Sequence, residues 1–248
     1  MRIFLIPIVA FFISNNLMLA QFSGTKSVYF SGNEFDCFEL AINQANLSRL
    51  TIEKNNDKSS FADLIKKHPD DMLFTSTYFR DDCSPLGLIL RNQITENPLN
   101  TDPSGDGGNF FLQPNGALLF EAGKALIRET SLVGNLNQVS NAMQSGPILI
   151  RGSMVNSNLN PVSTNFKNRS GIGIYSDSKG LQHLVFVHSR SKITFYQLAQ
   201  FMKQRFNCSE ALNFTSVQCA LALPFQQEAE PGQNEIRPCY YLRFKAIP

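Results

Sequence analysis

Four short stretches set glycine beside side-chain amides or a guanidinium. They are Gly107-Gly108-Asn109-Phe110-Phe111, Pro114-Asn115-Gly116, Gln144-Ser145-Gly146-Pro147 and Asn168-Arg169-Ser170-Gly171-Ile172-Gly173. Glycine lets a backbone approach a ligand closely or turn through positive φ. Asn and Gln each offer a donor and an acceptor, which suits sugar hydroxyls. Arg can grip a phosphate through two parallel hydrogen bonds. Each stretch also has a plainer reading: Asn-Gly is a common hairpin turn, and Arg-x-Gly-x-Gly bends a strand. Gly107-Gly108 lacks the strand-to-helix G-x-G-x-x-G spacing of a dinucleotide site. Four such stretches on strand edges point to a polar cleft.

Other chemistries find less material. Three histidines (His68, His183, His188) and no CxxC pair leave no recognisable zinc site, and no cofactor is called for. His183 and His188 flank one apolar strand with opposite parity, so they face opposite ways and cannot chelate together. Ser145 lacks the second glycine and the strand–turn–helix setting of a nucleophile elbow. A net charge of +2 and no Lys/Arg run longer than two argue against a nucleic-acid partner bound through a basic face. Five cysteines allow at most two bridges. Cys219 and Cys239 flank a polar loop and form the favoured pair, while Cys208 reads as a small buried hydrophobe.

The elements that must carry these residues are mostly strands. Ile3 to Ile13 is an unbroken apolar run behind Met1-Arg2, too short to span a membrane. It reads as a signal peptide over residues 1–20, with export of 21–248 to a secreted or periplasmic location. Ser60 and Asp63 form a capping box ahead of a helix with Phe61, Leu64 and Ile65 on one face, stopped by His68-Pro69. Thr194 and Gln197 cap a second helix over 195–206, with Phe195, Leu198, Ala199, Met202 and Phe206 recurring at three and four. Strands are expected at 72–74, 86–90, 184–187, 211–214 and 240–244, with hairpins at 117–127 and 148–155. With no linker to divide it, the chain is a single α+β domain of mixed β-sheet and a few helices.

The order of the motifs then matters. Pro85-Leu86-Gly87-Leu88, Gly108-Asn109-Phe110-Phe111, Pro114-Asn115-Gly116, Gln144-Ser145-Gly146-Pro147, Arg169-Ser170-Gly171-Ile172-Gly173, Thr194-Phe195-Tyr196, Cys208 and Ala211-Leu212 follow one another. This series, over about 59 to 224, resembles the phosphodiester glycosidase family, which includes bacterial domains related to the lysosomal uncovering enzyme. The resemblance implies a secreted domain that cleaves a sugar from a sugar-1-phosphodiester. It places Asn109, Gln144, Ser145, Gly146 and Arg169 around the substrate, with Arg169 as the phosphate clamp.

Two turns depart from the family pattern. Thr75-Ser76-Thr77 stands where an Asn-Ala-Gly turn is usual, which makes Thr75 a substrate-binding candidate. Phe214-Thr215-Ser216 replaces a strand-end Leu-Asp-Gly, so Thr215 and Ser216 occupy the catalytic turn without its carboxylate. Losing a general acid or base costs about 10²–10⁴ in rate, and glycoside cleavage normally uses two carboxylates. The expectation is therefore a hydrolase with an altered catalytic turn. The alternatives are a non-catalytic module that binds a sugar-phosphate or envelope glycan in the same pocket, and a structural domain with no ligand.

Overall fold

The computed structural model describes residues 22–102, 104, 108–215, 219–226 and 228–246. The expected leader, Gly107 and Ser216 lie outside the described residues. The first strands are β1 (Phe22–Phe30), β2 (Asn33–Ala41), β3 (Leu50–Lys54), β4 (Met72–Thr75), β5 (Ile89–Arg91) and β6 (Ile94–Asn97). Next come β7 (Gly116–Glu121), β8 (Lys124–Glu129), β9 (Asn141–Ser145), β10 (Ile148–Arg151) and β11 (Met154–Val155). The last are β12 (Ser170–Ser176), β13 (Gln182–Ser189), β14 (Glu210–Thr215), β15 (Leu221–Ala222) and β16 (Tyr240–Phe244). The helices are α1 (Gln44–Leu47), α2 (Phe61–Lys67) and α3 (Phe195–Phe206).

They form three antiparallel sheets, ordered β1-β2-β13-β12-β14-β10-β11, β15-β4-β16-β3 and β6-β5-β9-β7-β8. The domain is α+β, as its sequence predicts. Strand β13 is central because it is apolar on both faces. Leu184 and Phe186 join Phe38, Leu40, Ile172 and Leu212 in the main core against the two smaller sheets. Val185 and Val187 join Phe35, Cys37 and Ala211 on the other face, under α3. Burying one such side chain contributes about 1.5–3 kcal/mol, so a strand with two apolar faces is stable only between layers.

Helices α2 and α3 begin as their capping boxes dictate. The Ser60 and Thr194 side chains accept from the backbone N–H of Asp63 and Gln197, and each N3 side chain accepts in return from the cap's own N–H. Asn207 closes α3 in the left-handed region, at φ 53°. The Arg-x-Gly-x-Gly spacing belongs to packing: a Cβ at Gly173 would stand 2.6 Å from Cys208 Sγ, and one at Gly171 3.3 Å from Met202 Sδ. His183 and His188 do face opposite sides of β13. His183 stacks on Tyr175 at the rim, whereas His188 is buried.

Two expectations are corrected. The strand foreseen over 86–90 begins only at Ile89. Side chains replace its ladder: Asn100 Nδ2 donates to Leu86 O, Asn97 Nδ2 to Gly87 O, and Leu88 N–H donates to Gln144 Oε1. The disulfide joins Cys83, not Cys219, to Cys239, with Cα atoms 5.4 Å apart. The loop after β4 folds back through the Phe79–Pro85 bridge, and Phe79 stacks on Tyr240 at 5.2 Å, which carries Cys83 over the start of β16. Cys219 is buried as a free thiol. Its neighbour Ala220 is tied by backbone N–H and carbonyl to Thr75.

Candidate functional site

A cleft of about 450 Å³ opens where the end of β4, the loop after it, the end of β14 and residues 237–240 converge. Thr75, Ser76 and Thr77 form one side, and Thr215 stands at the strand end beside them. The three hydroxyls of the first side point into the protein. Thr75 Oγ1 lies 3.3 Å from Ala220 O and accepts from Ala220 N–H at 2.9 Å. Ser76 donates to Tyr240 O at 2.7 Å, and Thr77 to Gln144 O at 2.5 Å. This turn is a fastened wall whose hydroxyls retain lone pairs for a further donor.

The mouth is cationic. Lys58, Arg80 and Arg237 line it, with Asp81 as the carboxylate among its described residues. All four are exposed, and none of the three cations is ion-paired within 4.0 Å among the described residues. Asn55 shapes the turn that presents Lys58, donating from Nδ2 to Ser59 O and Pro238 O at 2.8 Å each. Arg237 Nη1 reaches Lys58 O at 3.2 Å. Backbone N–H of Arg80 donates to Ser84 O, and Asp82 caps the same loop through Ser84 N–H. The Cys83–Cys239 bridge lines the cleft and clamps this loop to the Arg237 segment.

Of the residues that the sequence puts forward, the structure brings Thr75 and Thr215 to one cleft. Gln144, Ser145 and Gly146 lie beneath it. The Gln144 amide is spent on four bonds: Oε1 accepts from Leu88 N–H and Asn100 N–H, and Nε2 donates to Asn100 O and Thr130 Oγ1. Ser145 donates to Phe214 O at 2.8 Å. The Gly146 carbonyl accepts from Asn213 Nδ2, which also bonds the Tyr78 hydroxyl at 2.8 Å. Ser145 and Gly146 therefore tie the end of β9 to β14, and the Gln144 amide braces the segments around Leu88, Asn100 and Thr130. Asn109 opens a short 3-10 turn, half-buried and away from the cleft lining, while Phe110 packs edge-on to Tyr78.

Arg169 is enclosed. It has no exposed surface, its Nε donates to Ile193 O at 2.8 Å and its Nη2 to Asn165 O at 2.7 Å. The guanidinium lies over the Phe195 ring at 3.6 Å. Burial pulls its pKa down to about 10, while the nearby Tyr78 and Cys219 act in the opposite sense. Arg169 thus stands behind the cleft wall at Tyr78 rather than at its surface.

Sequence reasoning missed Lys58, Arg80, Asp81 and Arg237. Each sits in an ordinary polar loop, and the disulfide that gathers two of those loops cannot be paired from spacing alone.

Comparison with known proteins agrees with this architecture. A family model described as phosphodiester glycosidase matches residues 72–215, more than half of the chain. The uncharacterized protein YigE of Escherichia coli K12 is 28% identical over 151 residues, which are 61% of this chain and 57% of that protein. This chain thus matches less than two thirds of the relative's length. Among solved structures, the catalytic domain of zebrafish N-acetylglucosamine-1-phosphodiester alpha-N-acetylglucosaminidase, auto-inhibited by its pro-peptide, superposes with a TM-score of 0.57 at 12% identity. That match covers 92% of this chain and 83% of the zebrafish one. A hypothetical protein from Synechocystis gives 0.58 at 15% identity, covering 91% of this chain and 62% of its own. From the match over 72–215 and the shared fold it follows that this chain belongs to the phosphodiester glycosidase family.

Proposed function

We propose that the protein is an exported hydrolase that releases a sugar from a sugar-1-phosphodiester in the cleft between Thr75 and Thr215. The observation that carries this reading is the set of three cations, Lys58, Arg80 and Arg237, around a hydroxyl-lined and aromatic wall. A neutral glycan needs no such mouth, whereas a phosphodiester carries the charge it attracts. Cleaving the bond between C1 and oxygen expels a phosphate monoester, whose second pKa is about 6. Such a leaving group departs near neutral pH without a proton donor, so one of the two usual carboxylates is dispensable. Cations at the mouth stabilise the charge that grows on it. The phosphate grip falls to these three residues, with Arg169 holding the wall behind Tyr78. The apolar leader and the Cys83–Cys239 bridge support an oxidising, exported setting.

A second reading, recognition without turnover, is favoured by the replacement of the strand-end carboxylate by Thr215 and by Asp81 being the cleft's one described carboxylate. Release of free sugar from a panel of methyl hexose-1-phosphodiesters, run beside calorimetric binding of the same panel, separates the two. The hydrolase reading expects both turnover and binding. Saturable binding with no sugar released would replace it by the binding module, and neither would remove the cleft as a phosphodiester site.

A further inference from the structure

Three polar residues stand in one cross-strand row of the large sheet. Ser170 of β12 is the partner of His188 of β13, and His188 is the partner of Asp36 of β2. On its other side Ser170 is the partner of Thr215 of β14 across a register shift that leaves Phe214 as the extra residue, and Thr215 is the strand-end residue that lines the cleft. Cross-strand partners hold their Cβ atoms about 4.5–5.5 Å apart on one face. Hydroxyl, imidazole and carboxylate therefore follow one another within reach of a rotamer change or one bridging water.

Nothing about the core requires them. They continue the inward-facing positions of Ile172, Phe186 and Phe38, where apolar side chains pack well. Asp36, His188 and Ser170 are only 2%, 6% and 0% exposed. Each nevertheless keeps a buried polar atom with no partner among the described residues: Asp36 Oδ1, His188 Nδ1 and Ser170 Oγ. Orphaned polar atoms are rare in native interiors and costly, and three in one row ask for a function.

The far end of the row is anchored. Asp36 Oδ2 accepts from Arg190 Nε at 2.8 Å, and Arg190 also pairs with Glu230 at 3.0 Å and lies 3.8 Å from Glu34. The groups facing His188 are thus Ser170 from β12, Asp36 from β2, and Arg190 just beyond the end of β13, with Glu34 and Glu230 beyond. Burial and Arg190 hold the His188 imidazole down to about 4, so it is neutral near pH 7 and holds a proton only in passing.

We propose that Ser170, His188 and Asp36 form a buried proton relay that serves Thr215 in the cleft and takes the proton of the hydrolytic water. The inference rests on the hydrolase reading above. As the water oxygen bonds to C1, its proton moves to Thr215 Oγ1, the Thr215 proton to Ser170 Oγ, and the Ser170 proton to His188 Nδ1. The bond between C1 and oxygen breaks, and its electron pair leaves with the phosphate monoester. The imidazolium, flanked by the Asp36 carboxylate, then returns its proton by the same path to the cleft, where the departing phosphate monoester or solvent takes it up. These are relay residues, and the substrate meets only Thr215.

The test is the pH–rate profile of the full-length chain on methyl hexose-1-phosphodiesters. Ser170→Ala and His188→Gln are each expected to lower kcat by about 10²-fold or more, with KM within a factor of two. Ser170→Thr, which keeps a hydroxyl, restores most of the rate. Unchanged kcat in a folded Ser170→Ala, or a Ser170→Thr as slow as the Ala variant, overturns the relay while leaving the hydrolase reading intact. A wild type that binds the diesters and releases no sugar overturns that reading and the relay with it. Should His188→Gln fail to fold, nitrogen NMR of the wild-type imidazoles serves instead, because the chain has only three histidines. The His188 ring signals shift in Ser170→Ala and Thr215→Val if the row is connected, and signals indifferent to both overturn it.

Discussion

Cys83 is bonded to Cys239, so the loop that bears Arg80 and Asp81 is fastened to the segment that bears Arg237. The bridge spans 156 residues of sequence. On chain-entropy grounds a closure that long stabilises by several kcal/mol, and typical measured values are about 2–4 kcal/mol. Replacing both cysteines by Ser is expected to lower the urea midpoint accordingly. It should also weaken binding of a phosphodiester more than binding of the neutral sugar. Equal weakening of the two ligands would show that the bridge supports the fold alone.

Removal of single mouth cations separates charge from shape. Arg80→Ala and Arg237→Ala should each weaken a methyl hexose-1-phosphodiester roughly tenfold at low salt and leave the neutral methyl hexoside almost unchanged. The penalty should shrink at high salt, since exposed charges are screened within about 8–10 Å. Calorimetry at two ionic strengths reads both effects, and a salt-independent loss would count against the cationic mouth.

Arg169→Ala tests the opposite arrangement. Its guanidinium is enclosed by Ile193 O, Asn165 O and the Phe195 ring, so truncation leaves carbonyls unmet and a void. A loss of about 3–5 kcal/mol in denaturant unfolding is expected. A variant of wild-type stability that had lost only phosphate affinity would restore Arg169 to the role of clamp.

Asp36 and His188 make opposite contributions to stability below neutral pH. Burial, against the pull of Arg190, raises Asp36 from 3.8 to about 6. Its raised value favours the fold at low pH and loses that effect as pH rises from 4 to 6. Burial depresses His188 from 6.5 to about 4, so its contribution is present above 6.5 and fades as pH falls to 4. Each shift corresponds to about 3 kcal/mol, and in the wild type the two largely cancel. Asp36→Asn should therefore lose stability on acidification from pH 6.5 to 4 more steeply than the wild type, and His188→Gln less steeply. Parallel slopes for all three in urea titrations would refute the opposition.

The legible part of the fold was whatever local physics fixes. The capping boxes at Ser60 and Thr194 set both longer helices, because the cap and its reciprocal partner lie within one turn. The two-sided apolar run of β13 marks a buried strand, and its register with β2 and β12 makes it central. Strands β2, β3 and β9 went unmarked because charged and polar residues interrupt them, and only their neighbours make them strands. At the site, the family resemblance puts forward Thr75, Thr215 and Gln144; the first two line one cleft, whereas the Gln144 amide bonds Leu88, Asn100 and Thr130. Residue type tells what a side chain can bond, not which partner reaches it first. The Ser170–His188–Asp36 row needed strand register, which no local spacing encodes.

The three remaining cysteines, Cys37, Cys208 and Cys219, are all buried, and burial raises each thiol, Cys208 and Cys219 to about 12. Thiol exchange needs a thiolate that an oxidant can reach. Once these strands have packed, three of the five sulfurs are withdrawn from that chemistry, and Cys83 with Cys239 is the pair left to react. An oxidant that acts on the folded chain makes the native bond, whereas one that acts earlier meets five competing thiols. Correct pairing is thus a matter of timing: oxidation after the strands have packed leaves Cys83 and Cys239 as the pair that can react.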